Sequence, residues 1–289
     1  KQFMVRAMLI AVLITIGLQG NAQTESRITR YNYFFLEAIR QQEMGNLAAA
    51  FDLLNHARDI NPKAPEVYYE IAGYYVAMQN SKAARYNFEQ AAKLAPDNST
   101  YLEKLGQFYI SQNNYEDALT TYEQLYTSNK TREDVLQILY QLYGAQNNYK
   151  KMIEMIERME LLSGASEQLS LTKMQIYEQM GDKRKAQAEL LRLVQKNPLE
   201  LNYRVMLGNW LLQNNKKKEA YNEYQTVLKE DPNNAAAQLS LLDYYRDTKN
   251  AKMVDELTRK LLESKKTEKE TKMALLRQAI MDNQDDSTV

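Results

Sequence analysis

Four side-chain amides recur with a fixed 34-residue period: Gln107, Gln141, Gln175 and Asn209. A side-chain amide both donates through its N–H groups and accepts at its carbonyl, which is the pairing that the backbone of an extended peptide asks for at every residue. If each period of the sequence folds alike, the four project from equivalent places into one groove. That is chemistry for holding a chain, independent of the held chain's own side chains.

The residues that make or break bonds are scarce. Among 289 residues there is no Cys and one His, and 37 Lys plus Arg balance 37 Asp plus Glu. Without Cys, disulfides, thiol catalysis and zinc ribbons are excluded. His56 falls, in the same phase of the period, in a column with Gln90, Gln124, Arg158, Arg192 and Lys260, so it reads as a surface histidine with no second ligand or base beside it. No GxxxxGK[ST], GxGxxG, GxSxG or HExxH pattern occurs, so no cofactor, metal or nucleophile site is expected and the chain reads as no enzyme. A charge-balanced chain has no basic field for nucleic acid. Its basic runs, Lys216 to Lys218 and Lys260 to Lys272, sit at a turn or are interleaved with Glu263, Glu268 and Glu270. Trp210 keeps phase with Phe108, Ile176 and Tyr244, which points to packing between neighbouring repeats.

The elements that position these residues follow from repetition. With 9 Gly and 5 Pro the chain has too few turn residues for a many-stranded fold, so helices are expected. Pro62, Pro96, Pro198 and Pro232 share one phase, each separated from the next by one period or by three. Tyr75, Tyr109, Tyr143, Tyr177, Leu211 and Tyr245 form an apolar column at the same step, and Ala50, Ala84, Ala118, Ala186 and Ala220 a small one, interrupted by Met152. Leu54, Phe88, Tyr122, Ile156, Leu190 and Tyr224 form a further apolar column one helical turn beyond the small one. Between the two halves of each period lie Gly45-Asn46, Asn113-Asn114, Asn147-Asn148, Gly181-Asp182 and Asn214-Asn215, residues that tolerate left-handed backbone and cap helices.

These columns resemble the tetratricopeptide repeat. The resemblance implies an all-α, right-handed solenoid of antiparallel helix pairs, with a small residue at each helix crossing and a Pro after each second helix. Seven repeats are expected over 31–268, starting at 31, 65, 99, 133, 167, 201 and 235, with turns near 46, 80, 114, 148, 182, 215 and 249. The fourth and seventh depart most, with Met152, Gly164, Val254 and Thr258 at signature places. A partial eighth repeat or capping helix is expected over 269–289, its turn at Asn283 to Ser287.

In proteins of this family the first helix of each repeat lines the concave face and its ninth residue points into it. That column here is Ile39, Gly73, Gln107, Gln141, Gln175, Asn209 and Asp243. Fifth places are Phe35, Tyr69, Glu103, Gln137, Leu171, Val205 and Leu239, with none of the cations by which chaperone-tail readers grip a C-terminal carboxylate. The candidate peptide-binding residues are therefore Phe35, Tyr69, Gln107, Gln141, Gln175, Asn209 and Asp243.

The N-terminal segment reads as a separate element. Lys1 and Arg6 precede an apolar stretch from Met8 to Leu18 and the small residues Gly20 and Ala22, the pattern of an export signal over 1–22 followed by a lead-in over 23–30. The expected protein is an exported, periplasmic or envelope scaffold that binds protein or peptide, with no nucleic acid and no membrane insertion once the signal is removed. The alternatives are a sensory ectodomain of a longer membrane protein, or an accessory domain of an envelope enzyme.

Overall fold

A computed structural model of the chain describes the backbone of residues 2–286 and the side chains of residues 23–281. Among the described residues there are fifteen α-helices and no strand. They run as consecutive pairs: α1 Gln2–Glu43 with α2 Leu47–Ile60, α3 Pro65–Ala77 with α4 Ser81–Leu94, α5 Ser99–Ser111 with α6 Tyr115–Ser128, and α7 Glu133–Ala145 with α8 Tyr149–Ser163. They continue as α9 Glu167–Gln179 with α10 Lys183–Lys196, α11 Leu201–Gln213 with α12 Lys217–Glu230, α13 Ala235–Asp247 with α14 Ala251–Glu263, and a single α15 Lys269–Asp286. Two compact bodies divide the chain, residues 1–155 and 156–289.

The turn inside each pair is the same device, repeated. Its residue with positive φ is Gly45, Gln79, Asn113, Asn147, Gly181, Asn215 or Lys249, always in the same phase of the repeat. One left-handed residue lets the chain leave a helix and reverse at once, satisfying the last carbonyls on the way. The next residue often caps the second helix. The Oδ1 atoms of Asn80, Asn114, Asn148, Asp182 and Asn250 accept from the backbone N–H near the start of that helix's first turn. Between pairs, the carbonyls of Pro62 and Pro232 accept from Tyr68 Oη at 3.0 Å and Gln238 Nε2 at 2.8 Å.

Small residues mark the helix crossings. Ala50, Ala84, Ala118, Ala186 and Ala220 are fully buried, because a larger side chain there would hold the paired axes apart. Where Met152 breaks the column, the partner helix yields instead: a Cβ added at Gly144 would sit 3.4 Å from the Met152 Cε. A second accommodation recurs in both bodies. Tyr122 and Tyr224 are fully buried and lie over Gly106 and Gly208, where an added Cβ would meet the rings at 2.7 and 2.5 Å.

Two features differ from the sequence reading. α1 passes through Tyr31 without a break, so the first repeat and the lead-in share one helix. α15 stays helical through Asp286, so the turn expected at Asn283 does not form there. In the seventh repeat, which the sequence marks as departing, Val254 replaces the small residue of the crossing and Thr258 is smaller than its counterparts, and an open cavity of about 540 Å³ lies beside them, lined also by Tyr245, Lys249 and Ala279. The export signal and its cleavage after Ala22 lie outside the described side chains. Among the described residues no helix is long and apolar enough to cross a membrane.

Candidate peptide-binding faces

In the N-terminal body, Gly73, Gln107 and Gln141 are exposed and Ile39 is half-buried; in the C-terminal body, Gln175, Asn209 and Asp243 are exposed. This follows from helix geometry. The seventh and eleventh residues of each first helix face the paired helix, so the ninth, about 200° round from the seventh, turns outward. Among the described residues, Gln107, Gln141 and Gln175 spend none of their amide groups on the protein itself. Asn209 differs, because its Oδ1 accepts from the Tyr224 hydroxyl at 2.8 Å. Asp243 is ion-paired to Arg246 at 3.4 Å on its own helix. The column therefore carries three free amides, one engaged amide and one paired carboxylate.

The fifth positions divide between core and surface. Val205 is 5% exposed and belongs to the core with Val227 and Ala237. Phe35 is half-buried and stacks on Tyr31 at 5.8 Å, while Tyr69 packs on Phe88 at 6.3 Å and on Tyr101 at 5.1 Å. Both candidate aromatics thus keep one side against the protein and leave the rest of the ring available. Glu103 is bound by Arg132 at 3.3 Å, and that guanidinium also holds Asp134. Hydrogen bonding to Asp134 first, and attraction from both carboxylates, keeps Arg132 firmly protonated.

The N-terminal face is acidic as well as aromatic. Glu66 on α3 accepts from the Tyr31 hydroxyl at 2.6 Å, and burial together with that bond pushes the Tyr31 phenol well above its ordinary range. Glu70, one turn further on, is raised by burial, against a weaker pull from the Gln42 amide. Gln42 itself accepts from Tyr74 Oη at 2.9 Å.

The remaining sequence readings find their places. His56 lies at the surface and packs edge-on against Phe34, with ring centroids 4.3 Å apart. Trp210 is 7% exposed, and its Nε1 donates to Glu178 on the first helix of the preceding repeat at 2.8 Å, which fixes it as a packed residue. Among the described residues no three His, Asp or Glu side chains converge as they would on a metal ion.

One cluster leaves no mark in the sequence pattern. Lys173 on α9 is buried and donates to Glu160 of α8 at 2.8 Å and meets Glu189 of α10 at 3.1 Å. Arg192 closes the square, at 2.8 Å from Glu160, 2.6 Å from Glu189 and 2.9 Å from the Ser170 hydroxyl. Two cations and two anions leave nothing for a ligand to neutralise, and the cluster ties three helices together.

Comparison with known proteins agrees with this geometry. The tetratricopeptide repeat profile matches residues 69–132 and 171–235. No curated protein matches the sequence. Among solved structures, a chain of the Naa15/Naa10 complex bound to HypK-THB superposes with a TM-score of 0.58 at 14% identity, over 86% of this chain and 39% of that one. This chain thus spans well under half the length of that protein, and the likeness is one of fold. A tetratricopeptide repeat protein from Parabacteroides merdae aligns at 17% identity and a TM-score of 0.43, over 86% of this chain and 98% of that one. PilF of Pseudomonas aeruginosa aligns at 16% identity and a TM-score of 0.38, over 75% and 99%. The chain carries tetratricopeptide repeats, folded as an array of helix pairs, the architecture of a protein-interaction scaffold.

Proposed function

We propose that the chain is a non-catalytic scaffold that holds an extended segment of a partner protein along its first-helix faces, and that it does so in the bacterial cell envelope after export. The observation that carries the binding reading is the set of exposed amides Gln107, Gln141 and Gln175, repeated in phase with no internal partner. Exposed amides in phase suit a backbone better than they suit one particular side chain. The apolar flanks Phe35, Tyr69 and Leu171, each half-buried, add shallow surfaces for alternate side chains.

Selection of random linear peptides on the full chain supplies a ligand, and changing Gln107, Gln141 and Gln175 to Ala tests the face. Each lost amide bond removes about 0.5 to 1.5 kcal/mol, so the triple variant is expected to bind at least about tenfold more weakly while its denaturant midpoint stays put. The pair Gln107 and Gln141 is also changed separately from Gln175, which assigns the loss to one body or the other. A triple variant that folds and binds as tightly as the parent moves recognition to the convex faces or the turns. Export rests on the Lys1 to Ala22 pattern. N-terminal sequencing of native protein is expected to begin at Gln23, and a chain that retains the segment in the cytosol overturns the envelope reading.

A further inference from the structure

Among the described residues, the first-helix face of the N-terminal body carries carboxylates that no cation answers. Tyr31 on α1, Glu66, Tyr69 and Glu70 on α3, and Tyr101 on α5 lie side by side, with the Tyr69 and Tyr101 rings 5.1 Å apart and both partly exposed. Glu66 is held by a phenol, and Glu70 lies beside an amide. Among the described residues neither carboxylate has an ion pair. Arg40 of α1 is taken up by Glu37 at 2.6 Å, and Arg132 by Glu103 and Asp134. Several other half-buried glutamates are matched by cations: Glu103 by Arg132, Glu223 by Arg204, and Glu160 and Glu189 by Lys173 and Arg192.

We propose that this aromatic, acid-lined groove docks a basic extended segment of a partner protein, with one lysine or arginine side chain lying across Tyr69 and Tyr101 and its cation on Glu70. The inference deepens the peptide-binding reading and rests on it. Three terms favour such an occupant. A partly desolvated carboxylate without a counterion gains most from a charge-assisted hydrogen bond. Tyrosine faces attract a cation through the ring quadrupole, more strongly for guanidinium or ammonium already shed of water. The long apolar stem of Lys or Arg covers the rings while its head reaches past them. The raised affinity of Glu70 for a proton, caused by burial, marks the same uncompensated charge from the other side. An acidic segment or a C-terminal carboxylate meets repulsion on this face.

The test selects random linear peptides on the full chain and on the Glu70→Gln variant, then measures selected peptides by fluorescence anisotropy. Peptides selected on the parent are expected to share a Lys or Arg. Replacing that residue by norleucine, or Glu70 by Gln, is expected to weaken binding about tenfold, equivalent to about 1.4 kcal/mol, and the two changes together little further. Glu70→Lys is expected to turn the preference toward acidic peptides. Selected peptides without a basic residue, or unchanged affinity in the norleucine peptide, overturn the proposal and leave the groove reading standing. Failure to select any peptide sinks the groove reading, and this proposal with it. The norleucine comparison is made on the parent, so it decides the matter even if Glu70→Gln does not fold.

Discussion

Lys173 occupies the place where five other repeats put Ile71, Leu105, Leu139, Leu207 and Leu241, all of them buried, and it is itself only 4% exposed. Its ammonium is tolerated there because Glu160 and Glu189 neutralise it and Arg192 completes the set. Removing one member of such a group leaves an uncompensated charge in a dry site, which costs about 3 to 5 kcal/mol, whereas replacing the whole group by packed apolar residues is about neutral. Lys173→Leu, although it restores the residue of the other repeats, is therefore expected to lower the denaturant midpoint markedly. The fourfold change Lys173→Leu, Glu160→Val, Glu189→Leu and Arg192→Gln, using residues found at these places in other repeats, is expected to recover most of the loss. A single variant as stable as the parent contradicts this account. Burial pushes Glu160 up, but hydrogen bonds from Arg192 and Lys173 outweigh it and hold the carboxyl below its ordinary value. Because the folded carboxyl is the more acidic one, its stabilising share is present above the ordinary glutamate range and is lost as pH falls through the folded value. A titration of stability toward acid is expected to flatten in the fourfold variant. A lysine read alone looks solvated; only alignment of the repeats puts it at a leucine's place, and only the fold shows its two glutamates converging. The same limit hid the bond from Tyr224 to Asn209, since nothing in the residue types says that a buried ring's hydroxyl will surface beside that amide.

The helix pairs are more legible in the sequence, for a physical reason: each turn and each crossing needs a particular kind of residue, and the needs recur once per repeat. Gly45, Gly181 and the asparagines 113, 147 and 215 announce a left-handed residue. Gln79 and Lys249 occupy the same conformation, with φ of 57° and 55°, and carry no such sign in their chemistry. A Cβ in this region costs about 1 kcal/mol or more, which the repeat imposes and glycine avoids. Gln79→Gly and Lys249→Gly are each expected to stabilise the protein, by about 0.5 to 1 kcal/mol net of the extra freedom glycine has when unfolded. The same change at Ala48, inside α2, is expected to destabilise, so the pair of measurements separates turn strain from a general effect of glycine. Crossings obey a comparable rule. Gly208 lies under Tyr224, whereas the first repeat pairs Ala38 with Leu54. Gly208→Ala is expected to cost about 1 to 3 kcal/mol by overpacking, despite alanine's better helix propensity. Adding Tyr224→Leu recreates the first repeat's pair, and a double-mutant cycle is expected to show favourable coupling between the two changes. Additive effects would mean that the ring yields without cost.

At the scale of the whole molecule, stability in a repeat array is a sum over repeats and their nearest-neighbour interfaces, so a weak interface opens by itself instead of being averaged away. The C-terminal body shows where that happens. Thr258, smaller than its counterparts in the other repeats, lines an open cavity of about 540 Å³ between α13, α14 and α15. On α15, Leu275 is buried, but Met273, Leu276 and Ile280 remain 44%, 44% and 57% exposed. By contrast, α11 and α12 close around Leu207, Trp210, Leu211, Tyr224 and Val227, all buried. Native-state hydrogen exchange reads these local openings directly, because amides exchange at the free energy of the smallest unfolding that exposes them. Amides of α14 and α15 are expected to exchange faster than those of α11 and α12, with α13 between them. Thr258→Leu places methyl groups in the cavity, and at about 25 cal/mol per Å² of apolar surface removed from water it is expected to slow exchange in α14 and α15 by severalfold while leaving α11 unchanged. If exchange in all five helices rises and falls together, the body unfolds as one unit, and the cavity is a local irregularity without consequence for how the array opens.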